Sequence, residues 1–321
     1  MEGFSIGVDL GGTNLRAAAV TRDGECLAHI GMPTRLSAGP QAVLDDMAAA
    51  IRRLIDGQRG AELLGIGVGS PGPLELPSGI LHHPPNLPGF DGLNLRGELE
   101  RRLGCNVCVD SDANLAAYGE SCLGAGRGLS VASLCMLTLG TGVGCGIILN
   151  GQIWHGMQGA AGESGHGPLN PKGPACPCGA RGCLEMYASA TAIVRRAGEL
   201  GLEGARTASG VAELAESGDI RARQVFDEMG LALGLSLSNL VNALNLPLYV
   251  LGGGAAAAWP FFAPRMFATV RETSYVYRMS MPKDPNVFGP GTTHIARAQL
   301  GDAGMVGAAM LPVMSRYANR P

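Results

Sequence analysis

The sequence predicts an α/β fold in which one strand–glycine turn–strand unit occurs twice, giving two lobes of similar build. Three observations lead there. "FSIGVDLGGTNLRAAAVTRDG" reads as an apolar strand, a Gly11–Gly12 turn and a second strand heading for a turn at Asp23–Gly24. "SLCMLTLGTGVGCGIILNG" repeats that order beyond residue 132, and "PLYVLGGGAAA" adds a further apolar strand that ends in glycines. Recurrence of a whole supersecondary unit points to duplication. The plainer account is coincidence, because 50 of the 321 residues are glycine. At that frequency on the order of eight Gly-Gly pairs arise by chance, so no single pair carries weight.

The elements between these units follow from periodicity. "PQAVLDDMAAAIRRLIDG" places Val43, Leu44, Met47, Ile51, Leu54 and Ile55 at helical spacing, with a stop at Gly57. "LLGIGVGSPG" and "CNVCVDSD" read as buried strands, the second running into a helix over "ANLAAYGESCLG". A long helical pattern covers Asp219 to Asn245. Glycines cluster between Gly119 and Gly128, where the join between lobes is expected.

Composition excludes several classes. Apolar residues make up 46% and charged residues 16%, as in a globular chain with no disordered tail. Net charge is −3 with no run of lysine or arginine, so no nucleic-acid partner is expected. Residues 128–162 and 229–264 contain no Asp, Glu, Lys or Arg. Buried elements explain both stretches better than a membrane span, since "LGTGVGCG" breaks the first and Ser236, Ser238, Asn239, Asn242 and Asn245 break the second. "MEGFSIGVDLGG" lacks a basic region before an apolar core, so a cytoplasmic protein is expected. Nine cysteines, six of them scattered singly, read as reduced thiols and not as a disulfide framework.

Four stretches carry chemistry. In "DLGGTN", glycines allow backbone N–H groups to close on phosphate oxygens, and Asp9 can hold Mg²⁺ through water. "LGTGVGCG" repeats the arrangement. A tight hairpin also needs glycine, but two such loops in matching positions favour phosphate binding. Neither is a Walker loop or a dinucleotide fingerprint, because no Gly-Lys-Ser/Thr follows and Gly11–Gly12 lead into a strand. "DSDAN" sets Asp112 at a strand-to-helix junction, either as a helix N-cap or as a carboxylate that accepts a hydroxyl proton. The fourth stretch places His166, Cys176, Cys178 and Cys183 in the spacing H-x9-C-x-C-x4-C. Closed tetrahedral zinc sites take such Cys₃His sets, and four protein ligands leave no position for water, so the metal is structural.

Together and in this order these stretches resemble the ROK family of bacterial sugar kinases and repressors. The resemblance covers nearly the whole chain: "DLGGT", "GSPGPLE", "PPNLPGF", "SDAN", "LGTGVGCGII", "GESGH", "CPCGARGCLE", "VLGGG" and "AQLGDAGMVGAAML". It implies a duplicated actin/hexokinase-like (ribonuclease H-like) fold, two lobes closing on ATP and sugar, with a zinc knot. The implied division is residues 1–119, joined by a C-terminal helix over 302–319, and residues 120–301 with the zinc-binding loop at 163–185.

The resemblance also implies roles. Asp112 matches the base that takes the proton from a sugar 6-hydroxyl. Glu163, His166 and Glu185 match residues that hydrogen-bond the sugar ring, His166 giving one ring nitrogen to zinc. Gly11, Gly12, Thr13, Thr141 and Gly142 match the phosphate loops, and Gly253 lies near the adenosine. The family's usual Asn before the base is Ser111 here, a shorter side chain at a sugar-contacting position. The expected activity is ATP- and Mg²⁺-dependent phosphorylation of glucose at O6 by a homodimer. A fructokinase or an N-acetylmannosamine kinase is the alternative. A sugar-sensing repressor is less favoured, because Asp9 stands too near the start for a preceding DNA-binding domain.

Overall fold

Alternation builds the first sheet. In the strand Phe4–Leu10 (β1), Phe4, Ile6, Val8 and Leu10 face one side while Ser5, Gly7 and Asp9 face the other. The chain turns at Gly11–Gly12 into Asn14–Thr21 (β2), then pairs Cys26–Pro33 (β3) antiparallel to β2. The helix Pro40–Gly57 (α1) buries Val43, Leu44, Met47, Ile51 and Leu54, and partly buries Ile55, over the aliphatic face of β1. Leu63–Ser70 (β4) pairs parallel to β1. A short hairpin, Leu74–Glu75 (β5) and Ile80–Leu81 (β6), precedes the helix Leu95–Leu103 (α2). Val107–Ser111 (β7) completes the sheet in the order β3–β2–β1–β4–β7 and leads directly into Asp112–Cys122 (α3).

The second sheet has the same plan. It contains Leu134–Leu139 (β8), Val143–Leu149 (β9) and Gln152–Ile153 (β10), followed by the helices Glu185–Ala188 (α4), Ala190–Glu199 (α5), Ala208–Glu216 (α6) and Ile220–Leu244 (α7). Leu248–Gly252 (β11), the helices Trp259–Thr273 (α8) and Tyr275–Ser280 (α9), and His294–Arg297 (β12) follow. Its order, β10–β9–β8–β11–β12, repeats a meander of three strands flanked by two further strands, β11 running parallel to both β8 and β12. The duplication expected from the repeated strand–turn–strand unit is therefore real. A C-terminal helix, Ala303–Ala318 (α10), ends the chain.

The computed structural model describes residues 3–129, 131–202, 204–284 and 287–318; residue 319 of the expected C-terminal helix lies outside them. Two compact units result: residues 1–132, 146–161 and 299–321, and residues 133–145 with 162–298. The chain passes from the second unit back to the first inside β9.

The charge-free stretches are largely buried where they form β8, β9, α7 and β11, whereas most of residues 150–160 are exposed, Met157 at 92%. In α7, Met229, Leu233, Leu237 and Val241 are buried, and Gly230 and Gly234 bring α8 into backbone contact. Among the described residues no helix is long and apolar enough to cross a membrane. Asp219 caps α7 by accepting from the N–H groups of Arg221 and Ala222, and Asn245 ends it in a left-handed conformation.

The other face of the first sheet is lined with small residues for one reason. A Cβ at Gly7 would lie 2.0 Å from the carbonyl oxygen of Met305, and one at Gly67 would lie 1.9 Å from that of Ala308. Helix α10 thus rests its backbone on β1 and β4. Gly307 in turn presses against α3, its missing Cβ falling 1.8 Å from the Leu115 carbonyl oxygen. The Glu120 carboxylate, fully buried on α3, holds the approach to α10 by accepting from the N–H groups of Gln299 and Leu300 as well as Ala125.

Gly67→Ala should therefore destabilise the protein by about 1–3 kcal/mol, the usual cost of overpacking. Gly31→Ala on β3, where nothing lies within 4 Å of the added methyl, is the control and should be close to neutral. Urea unfolding followed by circular dichroism measures both.

Candidate active site

In the first unit, Asp9 stands at the end of β1 beside the glycine turn. Gly11 N donates to Asn14 O at 2.9 Å, closing the turn, and the Thr34 hydroxyl donates to Gly11 O at 2.7 Å. Thr13 O accepts from Thr34 N at 2.8 Å. The turn has no room for side chains at Gly12, since a Cβ there would meet Asn86 O at 2.6 Å. Burial raises the Asp9 pKa, and the Arg16 guanidinium, donating to its Oδ2 at 2.7 Å, works against that rise. Arg16 also donates to Asp302 at 2.5 Å, so one cation is shared by two carboxylates.

Ser111 and Asp112 divide the work at the start of α3. Ser111 is the N-cap: its hydroxyl oxygen accepts from Asn114 N at 3.2 Å. Asp112 is the first helical residue, and its Oδ1 accepts from Ala113 N at 2.7 Å. The capping role open to Asp112 in the sequence thus falls to Ser111. Gly304, in the first turn of α10, lies beside both acids: a Cβ there would be 3.9 Å from Asp9 Cγ and 3.8 Å from Asp112 O. The turn expected to hold phosphate and the expected base therefore share a neighbour.

In the second unit, Thr141 and Gly142 form the turn between β8 and β9. Gly140 N donates to Gly142 O at 2.9 Å, and the Thr191 hydroxyl donates to Thr141 O at 2.9 Å. Gly253, at φ +86°, follows β11 and packs on Leu139 O, where a Cβ would come within 2.6 Å. Glu185 sits at the start of α4, and its Oε2 accepts from Val143 N at 2.9 Å. The acid expected at the sugar thus also buttresses the glycine turn. A side chain at Gly142 would displace it, the missing Cβ lying 2.4 Å from that same oxygen.

The 3-10 turn Glu163–His166 is pressed onto β9 by two glycines. A Cβ at Gly162 would fall 2.3 Å from Cys145 O, and one at Gly165 would fall 2.0 Å from Val143 O. Glu163 is largely exposed, its Oε2 4.0 Å from His166 Nε2. The other ring nitrogen, Nδ1, faces Cys176 Sγ at 3.6 Å. Cys178 and Cys183 bring their sulfurs to 3.7 Å, and the four donor atoms all lie within 4.8 Å of one another. A zinc tetrahedron with bonds near 2.3 Å to sulfur and 2.0–2.1 Å to nitrogen has edges of about 3.6–3.8 Å. The cluster fits that ion. His166 thus turns Nδ1 to the metal position and Nε2 towards Glu163.

Two contacts were not foreseen from the sequence: the Arg16 bridge between Asp9 and Asp302, and a hydrogen bond of 2.7 Å between His155 Nε2 and Asp110 Oδ2. Arg16 stands opposite Asp9 in the β1–β2 register, which a hairpin reading could have supplied. His155 joins β7 across 45 residues of sequence, and nothing local marks it.

The ROK family model matches residues 5–314. The chain belongs to the ROK family. Among its ROK relatives, the glucokinase of Halalkalibacterium halodurans is 40% identical over 269 residues, 79% of this chain and 81% of the relative. The glucokinase of Thermotoga maritima is 34% identical over 319 residues, 95% of this chain and 96% of the relative. The structure of a ROK family glucokinase from Streptomyces griseus, in complex with glucose and AMPPNP, superimposes with a TM-score of 0.78 at 30% identity. It covers 96% of this chain and 99% of that one.

Elemental analysis of dialysed protein should find one zinc per chain. Cys178→Ser should lose it and leave the 163–185 loop protease-sensitive, since structural zinc contributes on the order of 10 kcal/mol. Ser111→Ala should cost about 0.5–2 kcal/mol through loss of the α3 cap, whereas Ser111→Asn retains a capping oxygen and should cost little. Denaturant titration of the three proteins orders them.

Proposed function

We propose that this ROK protein is an ATP-dependent hexose kinase that phosphorylates the 6-hydroxyl of glucose. The observation that carries the reading is the Cys₃His cluster with Glu163 and Glu185 at its two ends, in a chain 40% identical to a glucokinase. The zinc knot does no chemistry. It anchors acids that would hold sugar hydroxyls, and through Glu185 it ties them to the glycine turn at Thr141–Gly142.

In the proposed reaction the sugar O6 attacks the γ-phosphorus of ATP in line with the departing ADP. Asp112 takes the O6 proton as the new P–O bond forms and the bond to the bridging oxygen of ADP breaks. Phosphoryl transfer rests mainly on positioning and charge stabilisation. The two glycine turns would supply backbone N–H groups to the phosphates, and Gly253 would leave space for the nucleoside. Asp9 fits Mg²⁺: two carboxylates share one guanidinium there, leaving a net negative charge at the phosphate turn. The bound ion would neutralise phosphate charge. A cytoplasmic homodimer is the state we propose for the enzyme, with size-exclusion chromatography as its check.

Ser111 bears on the choice of hexose. Its hydroxyl caps α3, so it offers a sugar less than the family's asparagine would, and fructose or N-acetylmannosamine is the alternative substrate. A coupled ADP-release assay over glucose, mannose, fructose and N-acetylmannosamine tests the proposal. Glucose should have the highest kcat/KM; turnover with none of the four would remove the kinase reading. Asp112→Asn should keep sugar binding within a few-fold and lower kcat by roughly 10²–10⁴, the usual contribution of a general base.

A further inference from the structure

Asp110 is an acid with no assigned task, buried beside the proposed base. Its side chain is 4% exposed, and both oxygens are engaged. Oδ1 accepts from Ser111 N at 2.8 Å and from the Asn114 side-chain amide at 2.9 Å, so it grips the chain on both sides of Asp112. Oδ2 meets His155 Nε2 at 2.7 Å. His155 belongs to the loop 154–161, which closes on itself through Ala161 N donating to His155 O at 3.1 Å. The chain then continues into Gly162 and Glu163, the first of the acids proposed to hold sugar.

We infer that the Asp110–His155 pair positions the catalytic apparatus, with the buried carboxylate aligning Asp112 and the imidazole tethering the loop that delivers Glu163. The inference rests on the kinase reading above. Neither residue touches substrate; both act through neighbours. A buried carboxylate deprived of one donor would be left partly unsatisfied and free to turn, taking Ser111 N and Asn114 with it. Supporting shells of this kind typically contribute 10–100-fold to activity.

Protonation gives the pair a signature. The hydrogen bond to Asp110 raises the His155 pKa, against a smaller opposing effect of burial. Asp110 is the ionisable group hydrogen-bonded to it; β7 also carries Cys108, α3 carries Asp112, Tyr118, Glu120 and Cys122, β10 has none, and the 154–161 loop has no other. A raised imidazole pKa means that the ion pair is complete below the ordinary value of about 6.5 and is lost as pH rises through the raised one.

The test compares wild type, His155→Ala and His155→Gln by kcat and glucose KM between pH 6 and 9. Glucose affinity by isothermal titration calorimetry and thermal midpoints complete the set. His155→Ala should lose roughly 10–100-fold in kcat/KM. His155→Gln keeps a donor near the Nε2 position without a charge. It should recover most of that loss and flatten the alkaline limb expected of wild type. Should the alanine variant not fold, the glutamine variant alone decides through that limb. An active wild type whose variants share its constants and its pH profile would overturn this inference alone. A wild type inactive on every hexose would overturn the kinase reading and this inference with it.

Discussion

Backbone-to-backbone contact between α10 and the first sheet is the constraint on which the first unit depends. Carbonyl oxygens of Met305 and Ala308 occupy the space that side chains at Gly7 and Gly67 would fill. Such contact is possible only where alternation turns glycine toward the helix, at Gly7 on β1 and at Gly65 and Gly67 on β4. The consequence reaches the chemistry. Gly7 and Asp9 share a face of β1, so the helix that covers one brings its first turn to the other. Gly304 then lies beside Asp9 and Asp112 together, and Glu120 holds the segment leading into that turn. The glycines of this chain are therefore packing residues as much as turn residues.

In the second unit the corresponding constraint is the cluster of three thiols and one imidazole. A loop rich in glycine and proline between Gly162 and Glu185 has few apolar side chains with which to hold itself. A metal of the size that fits these donors would supply what a core would otherwise supply. The ends of the loop are pinned separately, Gly162 and Gly165 against β9 and Glu185 to Val143 N. Glu185 and the glycine turn at Thr141–Gly142 are thereby part of one hydrogen-bonded piece.

Much of this was legible because it is local. The helix at Pro40–Gly57 follows from residues three and four apart, and the cluster of three thiols and one imidazole from their spacing within one short segment. The duplicated sheet order follows from the repeated strand–turn–strand unit. The assignment at Ser111 and Asp112 was not legible. Both side chains can cap a helix, and one residue of difference in where α3 begins decides which of them does.

By itself the sequence determined the two-lobed α/β plan and the Cys₃His set that the fold gathers. Both rest on a repeated pattern or on spacing within one short segment, whereas the roles expected of the acids and glycine turns rest on the family resemblance. Only the tertiary structure decided how those groups are held. Arg16 on Asp302, Glu120 under Gln299 and Leu300, and His155 on Asp110 join positions 45 to 286 residues apart. The physical reason is that a buried carboxylate must find donors wherever the folded chain brings them, and linear order carries no record of that proximity.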